Sequence, residues 1–145
     1  DRFEEMIRSD ELIEYARYVE NYYGTPKAYV EQQMEAGKDV ILEIEIQGAL
    51  KVKQQFPNAL LLFVMPPSAA QLKERLIGRG TETPKVIESR LKRAAEHYDY
   101  ILVNDQVEDC VKRMHQLIQD HHSRTCNQTD FIKQMRAELH QMNKD

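Results

Sequence analysis

Apolar positions near the start of the chain recur at a helical period. Phe3, Met6 and Ile7 are followed by Leu12 and Ile13, so residues 2–18 read as helix, restarted at Asp10 after Ser9. Residues 21–24 read as a turn. Thr25-Pro26 reads as an N-cap followed by proline at the first helical position, opening a helix through Tyr29, Val30 and Met34 that stops at Gly37. Residues 40–46 are rich in β-branched side chains and read as a strand. Residues 48–55 form a short helix ended by Pro57. Residues 59–65 are almost unbroken apolar, the mark of a strand buried on both faces of a parallel sheet.

Pro66-Pro67 breaks that run, and Ser68-Ala69-Ala70-Gln71 is a capping box for a helix reaching Ile77. Gly78-Arg79-Gly80-Thr81 has the composition of a mobile loop, and residues 84–96 read as a basic, arginine-rich helix. Residues 100–103 form a short strand. Asp105-Gln106-Val107-Glu108 is a second capping box, opening a helix to His121. Residues 130–144 alternate as a polar amphipathic helix. Strands alternating with helices predict an α/β fold with a parallel sheet flanked by helices. Ligands in such sheets sit beyond the carboxyl ends of the strands. Glu43, Glu45, Pro66, Pro67, Ser68, Asn104 and Asp105 all fall at those ends.

Composition narrows the function. The 145 residues fit one domain, and 41 % apolar content supports a real core. A net charge of −4 argues against a nucleic-acid backbone binder. No apolar run approaches the ~18 residues of a membrane span, and no signal-peptide pattern is present. If one helix carried both Cys110 and Cys126, they would stand ~24 Å apart at ~1.5 Å per residue. A disulfide needs Cα atoms within ~7 Å, so two unpaired thiols in a reducing cytoplasm are expected. His121 and His122 are adjacent and would splay apart on a helix. His97, His115 and His140 fit no compact metal spacing, so no protein-held metal is expected.

Glu43 and Glu45 are two apart on the expected strand and share a face. Like charges on one face repel, so a cation, an arginine or the N–H edge of a base should stand against them. A solvated strand end is the other reading. Asn21-Tyr22-Tyr23-Gly24-Thr25 places two phenols and a hydroxyl at an expected helix N-terminus, which favours anions. A packed turn with a threonine cap accounts for it equally. Arg75, Arg79 and Arg90 are candidate phosphate clamps in a segment that also carries Lys73, Lys85, Lys92 and Arg93, and that a basic solvated helix would also explain. Arg79 lies between glycines, which suits a residue that swings in with a lid.

These blocks together resemble the guanylate kinase family. Asn21-Tyr22-Tyr23-Gly24-Thr25, the run from Gly37-Lys38-Asp39 through Leu42-Glu43-Ile44-Glu45-Ile46-Gln47-Gly48, Pro66-Pro67-Ser68, Arg75-Leu76-Ile77-Gly78-Arg79-Gly80-Thr81 and Val103-Asn104-Asp105 stand in the family's order and nearly its spacing. The similarity covers residues 1–120. It implies a P-loop nucleoside monophosphate kinase fold with GMP-binding and lid subregions, moving a phosphoryl group from ATP to GMP in purine metabolism, with Mg²⁺ accompanying ATP. Glu14 looks like the carboxylate that accepts from guanine N1 and N2, Thr25 like the hydroxyl that reads O6, and Tyr23 like a donor to the GMP phosphate. Glu45 matches a second acidic position near guanine, where many relatives carry aspartate. Glu43 matches an acidic position near the phosphates and Mg²⁺. The resemblance places Arg79 and Arg90 in the lid and Arg75 just before it, as catalytic charge. Arg79 and Asn104 fall on the ATP side. One kinase-like domain is implied: residues 1–37 in the GMP-binding region, 38–78 and 98–126 in the core, 79–97 in the lid, and 127–145 as a polar tail.

The sequence departs from the family twice. The glycine loop ending in Gly-Lys-Ser/Thr, which cradles ATP phosphates, does not occur in these residues. An arginine-containing segment that helps grip the GMP phosphate is absent too. Between Arg90 and Tyr98 the chain is about six residues shorter than relatives by this comparison. The expectation is therefore an N-terminally incomplete guanylate kinase, inactive without the missing segment. A guanylate-kinase-like protein-interaction module is the alternative, and a kinase for another nucleoside monophosphate is a weaker third. GMP and ATP are the expected partners, with neither nucleic acid nor membrane.

Overall fold

The N-terminal residues do not form the long helix that their apolar spacing predicts. In the computed structural model, which describes residues 2–18, 20–77 and 83–142, helix α1 spans only Arg2–Arg8. The chain then turns at Asp10, whose φ of 54° is left-handed. The Asp10 N–H bonds to the Ile7 carbonyl at 3.2 Å, and the Glu11 N–H reaches back to Met6 at 2.9 Å. This pair of bonds is a Schellman closure, which satisfies two carbonyls that the helix end leaves open. Lys27 Nζ holds the Asp10 carboxylate at 2.5 Å. Alanine at position 10 should cost about 1 kcal/mol, since it lacks the short polar side chain that lets aspartate tolerate left-handed backbone, and the ion pair is lost. Asp10→Gly should stay within about 0.5 kcal/mol, because freedom at φ > 0 offsets the lost pair. Urea titration of both variants checks this.

Strand β1, Leu12–Tyr18, pairs antiparallel with β2, Asn21–Pro26. Both strands lie where a helix end and a turn are expected from the sequence. Tyr15, Tyr22 and Tyr23 suit a pleated surface, and this cross-strand pairing overrides the helical spacing. The register slips between Leu12 and Glu14, so β1 carries a bulge. A bulge locally breaks alternation, and here three consecutive residues, Leu12, Ile13 and Glu14, are buried. Gly24 is not a turn residue. A Cβ on it would stand 2.9 Å from the Glu14 carbonyl and 2.9 Å from the Phe3 ring, so its small size lets α1 close over the hairpin. Phe3 then stacks on Tyr22 at 5.3 Å.

Helix α2, Lys27–Glu35, starts one residue later than expected, with Pro26 at the cap position and no side-chain cap bond. Thr25 is not the cap; its hydroxyl is engaged elsewhere. Residues 40–45 are not a strand, because they join neither hydrogen-bonded sheet among the described residues. Their alternation nonetheless persists in extended form. Val40, Leu42 and Ile44 pack against a core of Ile13, Val30 and Val52, while Ile41, Glu43 and Glu45 are exposed. Full burial of a side chain such as Ile13 is worth about 1.5–3 kcal/mol. Helix α3, Ile46–Gln55, begins directly from Glu45 and packs on β1. The Gln55 side-chain amide donates to the Ile13 carbonyl at 3.0 Å.

By its contacts the chain divides into two compact units, Asp1–Leu61 with Ser89–His97, and Leu62–Glu88 with Tyr98–Asp145. In the second, β3, Leu62–Met65, pairs in parallel with β4, Tyr100–Val103. This is the parallel pairing that the alternation of elements predicts. β3 is shorter than expected and not buried on both faces, since Val64 is 48 % exposed. A strand with one hydrogen-bonded neighbour has less to cover it than the centre of a wide sheet. Helix α4, Ala69–Ile77, opens as expected, with Ser68 Oγ accepting from the Gln71 N–H at 3.2 Å. Helix α5, Pro84–His97, is continuous through the stretch expected to be short. Helix α6, Val107–His122, lies against β4, and Leu102, Cys110 and Leu117 are buried there. Its cap is Gln106 without a side-chain bond, so Asp105 does not cap it. A 3₁₀ turn, Thr125–Asn127, leads into α7, Thr129–Met142. Cys110 on α6 and Cys126 in the turn occupy different elements and form no disulfide.

Candidate active site

Glu14 is the only buried charged residue among those described, 7 % exposed. Unpaired burial of a carboxylate is costly, so its surroundings have to compensate. Register sets Glu14 beside Thr25 and Ala16 beside Tyr23, and strand alternation then puts Glu14, Thr25 and Tyr23 on one face of the hairpin. Thr25 Oγ1 donates to Glu14 Oε1 at 2.9 Å. A hydroxyl has one proton, so Thr25 in this arrangement accepts from a further group and donates to none. Donation to a base carbonyl requires that proton to leave Glu14. Tyr23 is 58 % exposed, its phenol available to a ligand. It sits on a strand, not at the helix N-terminus that the sequence predicts.

The other oxygen of Glu14 points toward the first turn of α3. A Cβ on Gly48 would be 2.9 Å from Glu14 Oε2. Gly48 is the third residue of α3, where backbone N–H groups have no partner within the helix and favour negative charge. The carboxylate thus lies between the Thr25 hydroxyl and a helix N-terminus.

Glu45 closes the same helix end from outside, its carbonyl accepting from the Ala49 N–H at 3.0 Å. Its carboxylate pairs with Arg90 at 3.6 Å, with the side chains 72 % and 39 % exposed. An ion pair this wet is worth under about 1 kcal/mol. Glu43 shares the outward face with Glu45, as the alternation predicts. The first unit thereby brings together Glu14, Thr25, Glu45 and Arg90 around the hairpin, the start of α3 and α5, with Tyr23 on the hairpin face and Glu43 just before α3.

Arg75 and Asn104 meet in the second unit. Arg75 Nη2 donates to the Asn104 carbonyl at 3.2 Å and to Gln71 at 3.5 Å. The Asn104 N–H donates to the Met65 carbonyl at 2.7 Å, which ties together the carboxyl ends of β3 and β4. Arg79 lies outside the described residues. Among the described residues no cluster of three histidine, cysteine or acidic side chains could hold a metal alone, and no helix is long and apolar enough to cross a membrane.

Two contacts escape sequence reasoning. Neither Gln55 on Ile13 nor Gly48 against Glu14 has a signal, because both depend on how α3 packs on a hairpin that the sequence does not announce.

The first unit thus carries a buried carboxylate backed by a hydroxyl and an exposed acid–arginine pair, with helices packed around a hairpin. The solved structure of guanylate kinase from Anaplasma phagocytophilum is similar, with TM-score 0.64 and 29 % identity over 87 % of this chain and 64 % of that one. The fold is that of the P-loop nucleoside monophosphate kinases. The family "Guanylate kinase" matches residues 1–121. Guanylate kinase from Bacillus anthracis is 48 % identical over 141 residues, covering 93 % of this chain and 69 % of the relative. That from Lactococcus lactis subsp. lactis is 50 % identical over 130 residues, 86 % of this chain and 63 % of the relative. The chain belongs to the guanylate kinase family, and it spans about two thirds of the length of these relatives. Similarity at this level supports the catalytic reading over that of an interaction module.

Proposed function

We propose that the intact protein transfers the terminal phosphoryl group of ATP to GMP, giving ADP and GDP, and does so in the cytoplasm. The observation that carries this reading is the buried Glu14 carboxylate, held at 2.9 Å by the Thr25 hydroxyl. It is an acceptor pair facing a donor edge, and guanine presents two adjacent donors, N1–H and the N2 amino group, where adenine presents none in that place. Glu14 takes that edge, and Thr25 and Glu45 bound the base. Tyr23 donates to the GMP phosphate.

A phosphate oxygen of GMP attacks the γ-phosphorus of ATP as the bond to ADP breaks. No side-chain nucleophile or covalent intermediate takes part. Such transfer depends on positioning and on neutralising charge on the phosphoryl oxygens. On this reading Arg90 does this after leaving Glu45, Arg79 and Arg75 supply the same kind of charge, and Arg79 and Asn104 serve the ATP side. Magnesium held by substrate phosphates needs only one or two carboxylates, and exposed Glu43 fits that need. When bound, the ion supplies further charge neutralisation. Residues 1–37, 38–78 with 98–126, and 79–97 correspond on this reading to the GMP-binding, core and lid parts of one domain, with 127–145 as its tail.

A coupled assay of the intact protein tests the proposal. ADP release from ATP should require GMP, and AMP or CMP should not replace it. ADP release unaffected by GMP would sink it.

A further inference from the structure

Gly48 stands in the first turn of α3, and glycine within a helix costs up to about 1 kcal/mol relative to alanine. Its backbone is not left-handed, since Asp10 and Gly37 alone among the described residues have positive φ. Conformational freedom therefore does not account for it. Space does: the position of its absent Cβ lies 2.9 Å from Glu14 Oε2, and 3.5 Å from Cδ and Cγ. Contacts at 3.5 Å are ordinary, so a methyl group conflicts with the one oxygen alone. The group that has to give way is the tip of a side chain, so the fold itself is not broken. Yet that tip is not free to move. Glu14 is buried, and its other oxygen is fixed by Thr25 at 2.9 Å. Any rotation that clears the methyl swings Oε1 off Thr25 or turns the carboxylate plane.

We propose that Gly48 is a positioning residue for guanine recognition: by withholding a side chain at the start of α3 it lets the Glu14 carboxylate lie against the helix N-terminus, with both oxygens set for a two-donor base edge. The inference rests on Glu14 being the base-reading carboxylate. It makes Gly48 act on substrate specificity, through Glu14, with no contact to the substrate of its own.

The test uses the intact protein with ATP and either GMP or IMP, which lacks the N2 amino donor. Gly48→Ala should raise KM for GMP about tenfold, the loss of one charge-assisted hydrogen bond. KM for IMP should rise less, kcat should stay within about twofold, and the melting temperature should change little, since the gain in helix propensity offsets the disturbed Glu14–Thr25 bond. In a Glu14→Asp background the shorter side chain withdraws the oxygen, so adding Gly48→Ala should change KM by less than about twofold. An unchanged GMP KM in folded Gly48→Ala overturns the inference. So does a tenfold rise that persists undiminished in the Glu14→Asp background. Should Gly48→Ala fail to fold, recovery of folding in the double variant supports the conflict with Glu14, and failure of the double variant refutes it. Glu14→Gln run alongside separates the two readings: if it leaves GMP binding intact, the base assignment falls; if it abolishes binding while Gly48→Ala has no effect, only the role of Gly48 falls.

Discussion

Glu14→Gln should weaken GMP binding by about a hundredfold while leaving the protein folded. Glutamine keeps the shape of the side chain but replaces one acceptor with an NH₂ donor, which then faces a donor on guanine. One charge-assisted hydrogen bond is lost and a donor–donor contact appears, together about 3 kcal/mol. Stability should fall only modestly, because a neutral amide is cheaper to bury than a carboxylate and this offsets the lost attraction to the α3 N-terminus. Thr25 can still donate to the remaining carbonyl oxygen. Calorimetric titration of GMP into the intact variant measures the effect directly. Undiminished affinity would mean that the base lies elsewhere.

Arg90→Ala should act on the other parameter. Arg90 pairs with the exposed carboxylate of Glu45, an ion pair wet enough to contribute under about 1 kcal/mol. On the proposed reading it neutralises charge that builds up in transfer, so its loss should lower kcat about a thousandfold. KM for GMP should change far less, since the base-reading carboxylate is untouched. Lysine at the same position restores charge without the planar fork and should recover only part of the rate. A variant with normal kcat and raised KM would instead make Arg90 a ground-state binder.

The elements after residue 61 are far more legible in the sequence than those before it, and the reason is the range of the interactions involved. Strand β4 at Tyr100–Val103, helix α4 with its Ser68 cap and helix α5 are set by local signals, namely a short apolar run, a capping box and a proline start. The β1–β2 hairpin has no such signal. Its connection at residues 19–20 contains neither glycine nor asparagine, and Gly24, which reads as turn punctuation, serves close packing under Phe3. Apolar spacing from Phe3 to Ile13 matched a helix because a bulge buries Leu12, Ile13 and Glu14 in succession, which hides the period of two.

The site residues could be named from motif blocks, but their chemistry could not. Threonine at position 25 reads as a helix cap in sequence, whereas in the structure its proton goes to Glu14 across the hairpin. Glu45 reads as a strand end and is in fact the residue from which α3 starts. The alternation at residues 40–46 was right about faces and wrong about the ladder. Side-chain period follows from extended backbone alone, whereas a strand also needs a neighbour to pair with.

Phosphoryl transfer to GMP can be followed directly. The intact protein should be incubated with GMP and ATP labelled in its γ-phosphate, and the products separated. Label is expected in the terminal phosphate of GDP, with one ADP formed for each GDP and no comparable transfer to AMP. Label that stays in ATP or appears only as inorganic phosphate would contradict the proposed activity.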